Sequence, residues 1–259
     1  MDPLKPSEQR PSAARCSGGR IRFLDAVRGF SVVSMVLFHL CYDLYFLSGV
    51  DIAWFIPPLR DIWRASISWT FLFVAGISCS LSRSNLRRSG RYLALAAAVF
   101  VATTVAAVDT PISFGIIFCM GASTLLYALL ERMGATPRGE LAALVLFVLF
   151  LACQGVPHGH VGLLGLDLEL PRAPYETGLL SWLGFIGPHF SSGDYYPLIP
   201  YALCYLSGAA FARSATGDRV LAAVRDWGCA PLEAVGRHPL AIYVAHQPII
   251  LLLVQLLFA

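Results

Sequence analysis

Asp25, Arg28, His39 and Asp43 lie inside one apolar, helix-length stretch that runs from Arg22 to Leu47. A charge within such a stretch is costly to bury in lipid, so by default it marks a functional path. Helical spacing sharpens the pattern. Eleven residues at 100° each bring His39 back to within about 20° of Arg28, and about 16 Å further along the axis. His39 and Asp43 are i,i+4 neighbours, so a carboxylate within reach of one ring nitrogen would leave the other free for chemistry. A second stretch, GRHPLAIYVAHQP, repeats the layout. It opens on Arg237 and His238 and reaches His246 and Gln247 about 13 Å further on. If the two helices pack together, His39, Asp43 and His246 form one buried polar cluster. A neutral His is a competent general base near physiological pH, and such a cluster suits proton or acyl transfer. Arg22, Arg28, Arg91 and Arg237 stand at the other end of these helices, where guanidinium groups can hold the phosphates of a donor.

The elements that must position these residues follow from composition. The chain has 259 residues, 57% of them hydrophobic and only 14% charged. It holds several apolar runs close to the length that crosses a bilayer. The expected fold is all-α, a polytopic transmembrane bundle with helices at about 26–48, 63–82, 91–108, 112–131, 140–155, 197–213 and 238–258. Residues 1–20 mix Pro, Ser, Gly and basic residues without periodicity and read as a disordered cytoplasmic tail that stays attached. Residues 21–259 form the transmembrane domain, with an outer loop at about 156–196 that is broken by Pro171 and Pro174. The distribution of positive charge sets the orientation. With the N-terminus in the cytoplasm and seven spans, all of the nineteen Lys and Arg except Arg60, Arg64 and Arg172 fall on the inner side. The C-terminus is then outside.

Each of these residues also has a plainer reading. Asp25 and Arg28 make an i,i+3 ion pair at a helix start, which anchors a span without any chemistry. His39 with Asp43, and His246 with Gln247, are also the kind of pairs that hold helices together in lipid. Asp194 in SSGDYYPLIPY can cap the sixth helix, with Pro197 in its first turn. Against that, Asp194, Tyr195 and Tyr196 combine a carboxylate with aromatic platforms, which suits a sugar. Gly76, Gly121 and Gly208 are expected at close helix contacts. His158 and His160 read as solvated loop residues, and the seven scattered cysteines as small hydrophobes. No metal is expected. The net charge of +3 and its distribution give no support to nucleic-acid binding.

Four blocks carry a resemblance: RIRFLDAVRGFSVVSMVLFHLCYDL, FLFVAGISCSLS, SSGDYYPLIPY and VGRHPLAIYVAHQPI. Taken in order, they resemble the catalytic domain of the heparan-α-glucosaminide N-acetyltransferase family in a compact bacterial form. The first helix is also similar to that of membrane acyltransferase-3 proteins, whose pattern of a basic residue, ten residues and a His is met by Arg28 and His39. The resemblance implies an enzyme of the bacterial inner membrane. It would move an acetyl or related acyl group from cytoplasmic acyl-CoA to a sugar on the far side. His39, Asp43 and His246 are then the catalytic candidates, Arg22, Arg28, Arg91 and Arg237 the donor-binding ones, and Asp194, Tyr195, Tyr196 and Gln247 those that meet the acceptor. The family places a catalytic His in the loop after the first helix. Residues 49–62 contain no His here, so that role passes to His39, and Phe118 stands where related sequences carry a further His. The acceptor expected is therefore a bacterial glycan or lipid-linked saccharide. Membrane lipids are the other partner, and a homodimer stays open. A different class of function would use the same His and Asp as the relay of a small proton-coupled transporter. Seven spans without a visible internal repeat speak against it.

Overall fold

The computed structural model describes residues 20–82, 84–107 and 110–258. The expected tail lies outside these residues except for Arg20. Nine α-helices are present among them: α1 (Arg22–Phe46), α2 (Leu59–Ser80), α3 (Asn85–Ala106), α4 (Ile116–Arg132), α5 (Glu140–Ala152), α6 (Leu198–Phe211), α7 (Ala215–Ala223), α8 (Ala230–Arg237) and α9 (Pro239–Phe258). A 3-10 turn, Cys153–His158, prolongs α5. All seven expected helices are there, with α1 and α2 starting about one turn, and α3 nearly two turns, earlier than the apolar pattern suggests. Polar residues at their ends hid those first turns.

Five helices are long and apolar enough to cross a membrane: α1, α2, α3, α5 with its 3-10 extension, and α9. α4 has 17 residues and α6 only 14. α6 is the inner helix. It packs on α2, α4 and α5 and buries most of its residues, so lipid thickness does not dictate its length. A buried cluster around it includes Leu72 and Cys79 from α2, Cys119 and Met120 from α4, Phe150 from α5, and Tyr205 and Ala209 from α6. Polar groups inside the bundle bind across helices, as they must where water is absent. The Thr124 and Tyr205 hydroxyls lie 2.7 Å apart, and Ser207 Oγ donates to the Ala143 carbonyl at 2.8 Å.

Backbones approach closely at two places. A Cβ added to Gly76 would come within 1.9 Å of the Tyr205 carbonyl oxygen, and one on Gly208 within 2.1 Å of that of Phe73. The expectation for these two glycines holds, and Gly121 is likewise pressed against Leu93. The second approach joins α1 to α8. A Cβ on Gly29 would meet the Leu232 carbonyl oxygen at 1.9 Å, and one on Gly236 that of Asp25 at 1.9 Å. Neither α7 nor α8 was expected, because each is short and only partly apolar. Ser214 caps α7 by accepting from the Gly217 N–H at 2.9 Å, and Pro231 opens α8.

The long loop between α5 and α6 contains a two-stranded antiparallel hairpin, β1 (His160–Leu163) and β2 (Leu166–Glu169). The bundle is therefore not wholly α, although helices make all of its core. Because successive long helices run in opposite directions, the hairpin lies at the end away from Arg22, Arg28 and α8.

Candidate active site

At the arginine-rich end, α8 holds the start of α1 in place. Glu233, buried on α8, accepts from Arg22 Nη2 at 2.8 Å and pairs with Arg237 Nη2 at 3.6 Å. The hydrogen bonds from Arg22 hold its carboxyl below the usual carboxylate range. Arg28 Nη1 donates to Asp25 Oδ1 at 2.8 Å and to the Gly236 carbonyl at 3.3 Å, while Nη2 donates to Ser78 Oγ at 2.9 Å. The close α1–α8 contact makes this reach possible. Arg20 is the second partner of Asp25.

Beside these groups lies a cavity of about 490 Å³. Arg20, Arg28, Arg88 and Arg237 line its charged part, and Phe71, Ala75, Met120 and Leu240 its apolar part. Asp25 is the carboxylate bound to two of these arginines, so positive charge is in excess. Of the four arginines singled out in the sequence, Arg28 and Arg237 line the cavity. Arg22 is committed to Glu233, and Arg91 is exposed on α3 outside the lining. Arg88, one turn before Arg91, takes its place. Its hydrogen bonds, to the Ser78 carbonyl and the Tyr92 hydroxyl, are both long at 3.4 Å. The signal was in the sequence, since Arg87, Arg88 and Arg91 cluster there, but the facing direction was not.

On α9, Pro239, Tyr243 and His246 follow at i, i+4 and i+7, so one helix face leads from the cavity wall toward the other end of the bundle. There the rings of His39 and His246 stand 5.0 Å apart, centroid to centroid, at 60°. The expected meeting of the first and last helices is found. His246 is 7% exposed. Its Nδ1 lies 2.6 Å from the Tyr243 carbonyl oxygen. A carbonyl can only accept, so the ring proton sits on Nδ1 and the lone pair on Nε2. Nε2 is buried and has no hydrogen-bond partner among the described residues. Such a nitrogen can take a proton from a bound hydroxyl or amine.

Spacing sets Asp43 one turn from His39, and the structure gives its carboxylate a partner on α9. Gln247 Nε2 donates to Asp43 Oδ2 at 2.9 Å and to Oδ1 at 3.2 Å, at a carboxylate that is 1% exposed. This turns the Gln247 amide oxygen away from Asp43, and it too is buried without a partner among the described residues. His246 and Gln247, neighbours on α9, thus each keep one buried acceptor without a partner among the described residues.

Asp194 caps a different helix from the one expected. Its Oδ2 accepts from the Ile116 N–H at 3.0 Å, at the start of α4, while Pro197 is the residue that precedes α6. The reason is tertiary, since the Tyr196 N–H donates to the Phe114 carbonyl at 2.8 Å and lays this loop across the start of α4. Burial pushes the Asp194 carboxyl up to about 6, against the Ile116 hydrogen bond and the charge of Arg64. Tyr195 donates to the Ser181 carbonyl at 2.6 Å, and Tyr196 is buried against Tyr201. The link from Asp194 to the histidines is Tyr243. It shares a small cleft with Gly115, whose environment includes Asp194 Oδ2, and its ring lies 5.6 Å from that of His246. Tyr243 was not foreseen, because an aromatic residue in a span reads as packing. Among the described residues, no three His, Cys, Asp or Glu side chains gather in a way that could hold a metal ion.

A model of the catalytic region of heparan-alpha-glucosaminide N-acetyltransferase matches residues 20–248, nearly the whole chain. The chain belongs to the heparan-alpha-glucosaminide N-acetyltransferase catalytic family. The family is one of membrane acetyltransferases whose donor is acetyl-CoA. Several apolar helices long enough to span a bilayer make this member an integral membrane protein. Comparison with curated proteins and with solved structures gives no match.

Proposed function

We propose that this protein transfers an acetyl or related acyl group from acyl-CoA, bound at the arginine-lined cavity, to a sugar or glycan acceptor that enters from the opposite side of the membrane. The observation that carries the reading is the placement of His39 against His246 on the same α9 face that walls the cavity. By the positive-inside rule, the arginine-rich end faces the cytoplasm, where acyl-CoA is made, and the histidine end faces outward in a bacterial inner membrane.

The residues fit such a donor. Four guanidinium groups match several phosphate oxygens, and the apolar walls formed by Phe71, Ala75, Met120 and Leu240 suit the thin pantetheine arm. The donor supplies an activated thioester carbonyl. His246 accepts the proton of the attacking hydroxyl or amine on Nε2, with its tautomer fixed through Nδ1, and as the new ester or amide forms the thioester C–S bond breaks and that proton passes to the CoA thiolate, which leaves as free CoA. His39, against the same ring, shapes the site and is the second proton carrier. Asp43 holds Gln247, and the free amide oxygen of Gln247 orients the acceptor. In this reading Asp194, which ties the loop before α6 to the start of α4, supports the acceptor side through Tyr195 and Tyr196 beside it.

The test supplies radiolabelled acetyl-CoA to inside-out membrane vesicles that contain the protein and follows label into saccharide and lipid-linked saccharide fractions. Wild type should transfer label, while His39→Ala and His246→Ala should lose transfer yet still bind acetyl-CoA in calorimetry. Transfer at wild-type rate in both variants, or no acetyl-CoA binding by the folded wild type, refutes the assignment.

A further inference from the structure

The hairpin between α5 and α6 presents the wrong face for a loop in water. Its strands pair His160 with Glu169, Val161 with Leu168, Gly162 with Asp167, and Leu163 with Leu166. Successive pairs point to opposite faces of a two-stranded sheet, so one face carries Val161, Leu168, Leu163 and Leu166, and the other His160, Glu169 and Asp167. The apolar face is as open as the polar one along β2. Leu166 is 83% exposed and Leu168 71%.

The tip repeats the anomaly. Leu164 and Gly165 both have left-handed backbone, with φ of 54° and 85°. Two-residue hairpin turns of this kind usually take Asn-Gly or Asp-Gly, because a side chain other than Asn or Asp is strained at the first position. Here a leucine occupies it and is 96% exposed. Local strain and an apolar side chain held out from the fold serve neither the turn nor the core.

The surroundings identify what covers this face. β1 packs on the 3-10 turn Cys153–His158 and on the end of α5. α5 is a span whose Leu141, Leu144, Val145, Val148 and Leu149 face outward, into lipid. The hairpin thus stands where a lipid-facing surface reaches the membrane boundary and continues it with leucines. Its unpaired strand edges cannot enter hydrocarbon, so the backbone stays at headgroup level and only side chains reach the acyl chains.

We propose that this hairpin is a membrane-dipping wedge, with Leu163, Leu164, Leu166 and Leu168 inserted among the phospholipid acyl chains of the leaflet at the histidine end of the bundle. Asp167, Glu169 and His160 lie on its wet side. The protein is thereby fixed in depth at a point outside its spans.

The experiment places a tryptophan on each face, Leu166→Trp and Asp167→Trp, in the full chain reconstituted into phosphatidylcholine vesicles. Emission of the five native tryptophans, measured on wild type, is subtracted. The added indole of Leu166→Trp should lose most of its emission when the acyl chains are brominated and stay protected from aqueous iodide. Asp167→Trp should show the reverse. Leu168→Trp gives a second reading of the apolar face. Quenching of Leu166→Trp and Leu168→Trp by iodide puts the face in water and overturns the proposal. Protection from both quenchers puts it against protein, such as a second copy of the chain, and overturns it equally.

Discussion

Arg88 and Arg91 stand one turn apart on α3, and only Arg88 lines the cavity. If the cavity holds the phosphates of the donor, Arg88→Ala removes a charge-assisted contact worth about 1.5–3 kcal/mol, which is roughly ten- to a hundredfold in Kd. Arg91→Ala removes an exposed charge whose effect on a phosphate outside its reach stays below about 1 kcal/mol, or roughly fivefold. Stability should separate cleanly from binding. Both hydrogen bonds of Arg88 are 3.4 Å long, so its guanidinium is weakly held and its loss should leave the fold intact. Calorimetric titration of acetyl-CoA into wild type and both variants, with thermal unfolding in the same detergent as a control, provides the measurement. Screening by salt sharpens it, because the Arg91 effect should vanish first as ionic strength rises. Equal weakening by the two substitutions, or a larger loss with Arg91→Ala, would refute the placement of the donor in this cavity.

Three further outcomes are expected. Gln247→Leu strips two hydrogen bonds from the buried Asp43 carboxylate and should cost about 1–3 kcal/mol in thermal or denaturant unfolding, while the double variant with Asp43→Leu should lose less than the sum of the two single variants; an additive double variant contradicts the pairing. Gly208→Ala forces apart two backbones that have no side chain to yield and should destabilise by about 3 kcal/mol, whereas Gly90→Ala, in open space on the same kind of helix, should stabilise by up to about 1 kcal/mol in the same assay. Asp194 titrates at about 6 in the folded protein against an ordinary 3.8. The folded state therefore binds this proton more tightly, and the stability it contributes is present below 3.8 and lost as pH rises through about 6. The melting temperature of wild type relative to Asp194→Asn should fall across that window, and a difference that does not change with pH counts against the buried carboxylate.

The sequence alone determined the kind of molecule and most of its helices. Apolar runs of bilayer length define α1, α2, α3 and α9 wherever the chain goes, because lipid accepts no other backbone than one that satisfies itself, while α5 reaches that length only with its 3-10 extension. It also determined which side chains to ask about, since Arg28, His39, Asp43 and His246 are conspicuous where almost everything else is apolar. The four blocks were specific enough in combination to name the family that nearly the whole chain matches.

Partnership was left to the tertiary structure. Asp43 lies one turn from His39 in the chain, yet its amide partner comes from Gln247, 204 residues away. Asp194 precedes α6 but caps α4, and Arg88 rather than Arg91 turns to the cavity. Helical period fixes which residues share a face. It does not say which face meets protein and which meets lipid, since both are apolar and the bilayer supplies no hydrophobic difference between them. The hairpin shows the same division at smaller scale. Its alternating leucines are plain in the sequence, but only the strand register and the stance of β1 on the end of α5 reveal that they face outward beside a lipid-covered helix.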